Sequence, residues 1–123
     1  MISKICLALY TILIGYLSLI PADEISVSFW DKGLHIGAYG IFSLLAWWGF
    51  QENKKFYFAV VLIIVYGIGL EVAQLLSPGR QMSILDVLAN LFGVMIIVGI
   101  RYSWASRGYS DGLGQHRQGP SDK

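Results

Sequence analysis

The chain has 123 residues, 55% of them hydrophobic and only 14% charged, with a net charge of +1 and a single cysteine. An ordinary soluble domain carries about a quarter charged residues, so this composition excludes one and gives no basic footprint for nucleic acid. Cys6 has no partner for an internal disulfide, and within an apolar stretch it reads as a small buried or lipid-facing residue.

The apolar residues fall in four runs of roughly 20 residues, the length a helix needs to cross a hydrocarbon core of about 30 Å. The sequence therefore predicts an all-α integral membrane protein, a compact bundle of four transmembrane helices in a domain spanning 1–105. The first helix is expected over 5–20, after a start bearing only Lys4 and before Pro21. A signal peptide shares those features, but no small-x-small cleavage pattern follows, and a retained helix is the simpler account.

A polar connection, 21–28, leads to a second helix expected over 29–50. Ser28 and Asp31 form an SxxD pattern in which the serine caps the helix and the acid meets its free amides. Trp30, Trp47 and Trp48 stand near its two ends, where amphipathic rings favour the membrane interfaces. The turn holding Lys54 and Lys55 precedes a third helix over 56–76, which the SPGR segment, Ser77 to Arg80, breaks. Ser83 and Asp86 repeat the SxxD pattern before a fourth helix over 83–100. Beyond it, 106–123 is rich in Gly, Ser, Gln and Arg and is expected to be a disordered cytoplasmic tail.

Lys4, Lys54, Lys55, Arg101, Arg107, Arg117 and Lys123 fall on one side, against Lys32 and Arg80 on the other. The excess of positive residues predicts that both termini are cytoplasmic. The connections before the second and fourth helices then face outward, with the chemically interesting residues beside them.

Asp31, His35 and Tyr39 recur every four residues along one stripe of the second helix. Glu71 and Gln74 share a face of the third helix, with Gly67 one turn below, where a neighbour can approach closely. Asp86, Asn90 and Gly93 share a face of the fourth. Turned inward, the three stripes make an outward-opening polar pocket. Glu71 lies about 8 Å inside the end of its helix at 1.5 Å per residue, and an ionisable group at that depth needs a reason.

Each residue also has a plainer account. Asp31 and Asp86 stand where capping alone explains an acid. Glu71 fits a structural ion pair with Arg80 or a hydrogen bond to His35, and Arg80 fits an exposed interfacial charge. The functional alternatives are an anion site, built from two helix N-termini with Lys32 and Arg80, and an acid–base site using His35, Glu71 and Asp86. A metal on His35 and the acids is a weaker signal, because no second histidine and no HxxxH or ExxH spacing supports it. No nucleophile elbow or phosphate loop is present, and no cofactor is expected. The opening of the second and fourth helices on DxxxH and DxxxN is a faint internal echo.

The segments DKGLHIGAYG at 31–40 and GLEVAQLLSPGRQMSILDVLANLFG at 69–93 resemble the VanZ-like family of small bacterial membrane proteins. Asp31, Lys32, His35, Tyr39, Glu71, Gln74, Arg80, Asp86, Asn90 and Gly93 meet that family's pattern in order. The resemblance implies a four-helix protein of the bacterial inner, or cytoplasmic, membrane. The name-giving member is associated with low-level teicoplanin resistance. The combined expectation is recognition of an envelope lipid or glycolipid head group by Asp31, Lys32, His35, Tyr39, Glu71, Gln74, Arg80, Asp86 and Asn90. The alternatives are an intramembrane enzyme using His35, Glu71 and Asp86, and a structural protein whose polar cluster only fixes helix packing. Four helices of this length enclose little volume, so a homo-oligomer or another membrane partner is compatible with all three.

Overall fold

The structure, a computed structural model, describes residues 1–20, 31–79 and 81–115, excepting the side chains of 31 and 108–115. Four helices follow in order, α1 (Ile2–Leu19), α2 (Asp31–Gly49), α3 (Asn53–Ala73) and α4 (Ile84–Gln115), with a short 3-10 turn, Gln74–Leu76, ending α3. Ser77 N–H donates to the Gln74 carbonyl at 2.9 Å, and Gly79 then takes φ 73°, a left-handed value that glycine adopts without a Cβ penalty. The expected Pro–Gly break is thus present. Pro21, Ser28, Trp30 and Arg80 lie outside the described residues, as does the expected loop at 21–28.

Among the described residues three segments, not the four expected, are long and apolar enough to cross a membrane: Ile2–Leu19, Asn53–Leu76 and Ile84–Arg107. The exception is α2. Lys32 and His35 dilute its first turns, and its packing against the other three helices lets it carry polar residues that a lipid-facing helix could not. By contrast, α1 buries only Ile14 and leaves Ile5, Leu9 and Ile12 exposed, the surface of a peripheral helix against lipid.

Association of helices in lipid depends on close packing, because hydrocarbon tails are as apolar as leucine. Here the most extensive packing joins α2 to α4. A Cβ added to Gly93 would collide with the Ile36 carbonyl oxygen and come within 3.0 Å of the Gly40 amide nitrogen, so the two backbones are in direct contact. Ser43, Ala46 and Val94 are fully buried along with them. Ser43 Oγ is buried with no hydrogen-bond partner among the described residues.

Aromatic rings fill the middle of the bundle. Phe42 stands edge-on to Tyr10 and Tyr66, with ring centroids at 5.5 and 6.1 Å, and tilted against Tyr39 at 6.0 Å. The tyrosine hydroxyls tie helices together through backbone carbonyls, Tyr10 donating to Ala38 at 3.0 Å and Tyr66 to Thr11 at 2.8 Å.

The C-terminal end of α2 meets the N-termini of α1 and α3 and the middle of α4, through one residue above all. Arg101 donates to the carbonyls of Phe50 at 3.2 Å and Gln51 at 2.7 Å and to Asn53 Oδ1 at 3.0 and 3.3 Å. Its guanidinium lies 4.2 Å from the Phe56 ring centroid and 5.6 Å from that of Trp47. Gln51 Nε2 donates to the carbonyls of Trp47 and Trp48, so the carbonyls that α2 leaves open at its end find donors.

The helix α4 continues past the expected end at 100 to Gln115, into the segment expected as a tail. Arg101 anchors it there, and Trp104 packs edge-on to Trp47 at 6.3 Å, so the helix keeps a partner where apolar composition has faded. Residues 116–123 of the expected tail lie outside the described residues.

Candidate functional site

At the opposite end of the bundle, the start of α2, the end of α3 and the start of α4 converge. Ser83 caps α4, its Oγ accepting from the Asp86 amide at 3.3 Å, as the SxxD spacing predicts. That cap sets Asp86 in the first helical turn, and Asn90 follows one turn later on the same face.

Buried acids and amides are the main feature of this end. Glu71 is 1% exposed, and Gln74, Asp86 and Asn90 are buried as well. Each is held. Glu71 Oε2 accepts the Ser83 backbone N–H at 3.4 Å, which pins the start of α4 to α3. Gln74 Nε2 donates to the Ser18 carbonyl at 3.2 Å, and Ser77 Oγ to the Leu19 carbonyl at 3.0 Å, closing α1 onto the same end. Lys32 makes an ion pair with Asp86 Oδ1. His35 Nδ1 shares a hydrogen bond with Asn90 Oδ1 at 2.9 Å, and its Nε2 lies 3.9 Å from Asp86 Oδ2.

An amide oxygen can only accept, so the Asn90 contact places a proton on His35 Nδ1. Its Nε2 then faces the carboxylates either as a lone pair or, in the imidazolium, as a second donor. One ligand atom each from His35, Glu71 and Asp86 lie within 4.8 Å of one another. Those three side chains could surround a cation, and the Lys32 ammonium already supplies positive charge to Asp86. The same geometry suits proton exchange between an imidazole and two acids.

Of the residues expected at the site, Lys32, His35, Glu71, Gln74, Asp86 and Asn90 come together at this end. Tyr39 is buried one layer deeper, against α3: a Cβ at Gly67 would stand 2.8 Å from its ring and hydroxyl. Gly67 therefore makes the close approach its position suggested, with Tyr39 as the neighbour. Asp31 begins α2, while its side chain, like Arg80, lies outside the described residues.

An acid of the cluster takes its counter-charge from Lys32, which reaches Asp86 from another helix, while the expected pairing of Arg80 with Glu71 lies outside the described residues. No local spacing signals this pair, because Lys32 and Asp86 stand on different helices. The cavity between Tyr39, Gly67 and Asn90 measures only about 10 Å³, and the cluster reaches the surface at Lys32, whose side chain is 43% exposed.

Comparison with known proteins bears on the same residues. No curated protein and no solved structure matches this chain. A model of the VanZ/LLP1 family matches residues 6–105, a span that takes in the bundle and every described residue of the polar cluster. This membrane-type helical chain, with its interlocked polar end, belongs to the VanZ/LLP1 family.

Proposed function

We propose that the chain crosses the bacterial cytoplasmic membrane with both termini inside and that its polar end receives the charged head group of an envelope lipid or lipid-linked molecule. The carrying observation is the fully buried Glu71 beside the buried Asp86 and Asn90, two acids and an amide gathered at one end of a largely apolar bundle. Burying so many polar groups in a membrane bundle is costly unless they have a task. The closed state of the cluster gives the reading a mechanism. An anionic head group entering at Lys32 draws that ammonium away from Asp86, and the freed carboxylate then turns to His35, so recognition is an exchange of ion pairs and not the filling of a preformed cavity. Arg80, by its place in the sequence, adds a second cation to such an anion site. A contribution to glycopeptide tolerance follows if the bound molecule is one that the antibiotic engages.

The test is complementation of a strain lacking the gene, scored by susceptibility to teicoplanin and other envelope-active compounds at matched membrane levels. Wild type is expected to restore tolerance, and Glu71→Gln, Lys32→Met and Asp86→Asn to lower it at least about tenfold toward the deletion strain, the scale of one lost charged contact. Full restoration by all three well-folded variants would leave the cluster a packing device.

A second reading is favoured by the His35 geometry. With Nδ1 engaged by Asn90 and Nε2 facing Asp86, the imidazole is oriented as an acid–base catalyst on the same head group. In that case His35→Gln and Glu71→Gln keep lipid binding while turnover falls by about 100-fold or more.

A further inference from the structure

A second feature lies at the other end of the bundle. Between α1 and α3 runs a groove of about 930 Å³, floored by Leu7, Phe42, Ala59, Ile63 and Tyr66 and opening beside Lys54 and Lys55. Its volume is that of a ligand pocket, far beyond a water site.

Its walls specify hydrocarbon. The Tyr66 hydroxyl is committed to the Thr11 carbonyl, and Thr11 Oγ1 to the Leu7 carbonyl at 2.8 Å, so neither polar group is directed at an occupant. The mouth is different. Lys54 and Lys55 stand there with Glu52, whose carboxylate pairs with Lys55 at 2.6 Å, and Lys54 has no carboxylate partner among the described residues. Lys4 adds a third amine, 5.6 Å from the ring of Phe50, which also lines the groove. Three ammonium groups to one carboxylate favour an anion.

Length decides between occupants. From Lys54 to Tyr66 the groove follows about 18 Å of helix at 1.5 Å per residue, close to one leaflet, half of a hydrocarbon core of about 30 Å. A second transmembrane helix needs the whole thickness. An acyl chain with its phosphate at the lysines needs only this half. We propose that the α1–α3 groove seats one acyl chain of an anionic phospholipid, with its phosphate held by Lys54 and Lys55. The site is separate from the polar cluster, and its test does not depend on the function assigned there.

Full-length protein would be titrated with phosphatidylglycerol or phosphatidylcholine of equal chain length and examined by native mass spectrometry, with thermal unfolding as the folding control. The expected result is a one-lipid adduct formed at about tenfold lower concentration with phosphatidylglycerol, a preference lost in K54A/K55A, since basic residues at the surface attract anionic lipid. Ala59→Phe, which places a ring in the groove from a buried position, and Leu62→Trp, which does so from a half-exposed one, should each abolish the adduct with either lipid, with Leu62→Trp unfolding at the wild-type temperature. Equal binding of both lipids by wild type, an adduct indifferent to Ala59→Phe, or displacement of lipid by a second copy of the chain would each overturn the proposal. Displacement by soluble glycerol phosphate would overturn it too, by showing an anion site that does not use the groove.

Discussion

Replacing Gly93 with alanine is expected to destabilise the bundle by about 3 kcal/mol, at the upper end of ordinary overpacking. The added methyl meets the Ile36 carbonyl and the Gly40 amide, both backbone, so no side chain can rotate away to make room. The α2–α4 crossing must open, and with it the joint that carries the polar cluster on one side. Gly99 is the control. A Cβ there meets nothing within 4 Å, so Gly99→Ala should leave stability unchanged or raise it by up to about 1 kcal/mol through helix propensity alone. Reversible unfolding of both variants in mixed micelles, followed by tryptophan fluorescence, provides the comparison. If the two alanines behaved alike, the close crossing described here would be wrong.

The second large effect is expected at Arg101. Truncation to alanine removes the donor to the Phe50 and Gln51 carbonyls and to Asn53, and leaves a void beside Phe56. Hydrogen bonds from a charged group contribute about 1.5 to 3 kcal/mol each and do not simply add, so a total loss of roughly 3 to 4 kcal/mol is expected for Arg101→Ala. Lysine keeps the charge but lacks the planar fork, which one residue here uses to join α2, α3 and α4. Arg101→Lys should therefore recover less than half of the loss in the same unfolding assay. Equal stability of the lysine variant and wild type would show that charge at this end matters more than the fork.

The positions of the helices were legible because apolar runs and their punctuation are local signals. Pro78 and Gly79 mark the end of α3, and the Ser83 cap is written in the SxxD spacing that the Asp86 amide confirms. Residues of the cluster were legible for a related reason. An acid or amide in a hydrocarbon run stands out, and a helical period puts His35, Glu71, Asp86 and Asn90 on inward faces. Their partners were not. The pairing of Lys32 with Asp86 depends on how α2 crosses α4, which two backbone contacts decide. The role of Arg101 was hidden because most of its partners are backbone carbonyls, which every residue possesses; read alone, it was one more positive charge at a helix end. The spanning count differs at α2 because length alone does not show how far Lys32 and His35 dilute its apolar run, nor that three neighbouring helices shelter it. The groove between α1 and α3 left no trace in the sequence, since a gap between helices is a property of their separation.

The dependence of α2 on α4 also bears on how the protein is made. Synthesis proceeds from the N-terminus, so the helix least suited to lipid emerges second while its main partner emerges last. Until α4 arrives, Lys32 and His35 lack Asp86 and Asn90, the groups that hold them in the finished bundle. A chain interrupted before α4 thus lacks the partners that Lys32 and His35 meet on that helix, so the polar end of the bundle is completed only when the last helix is made.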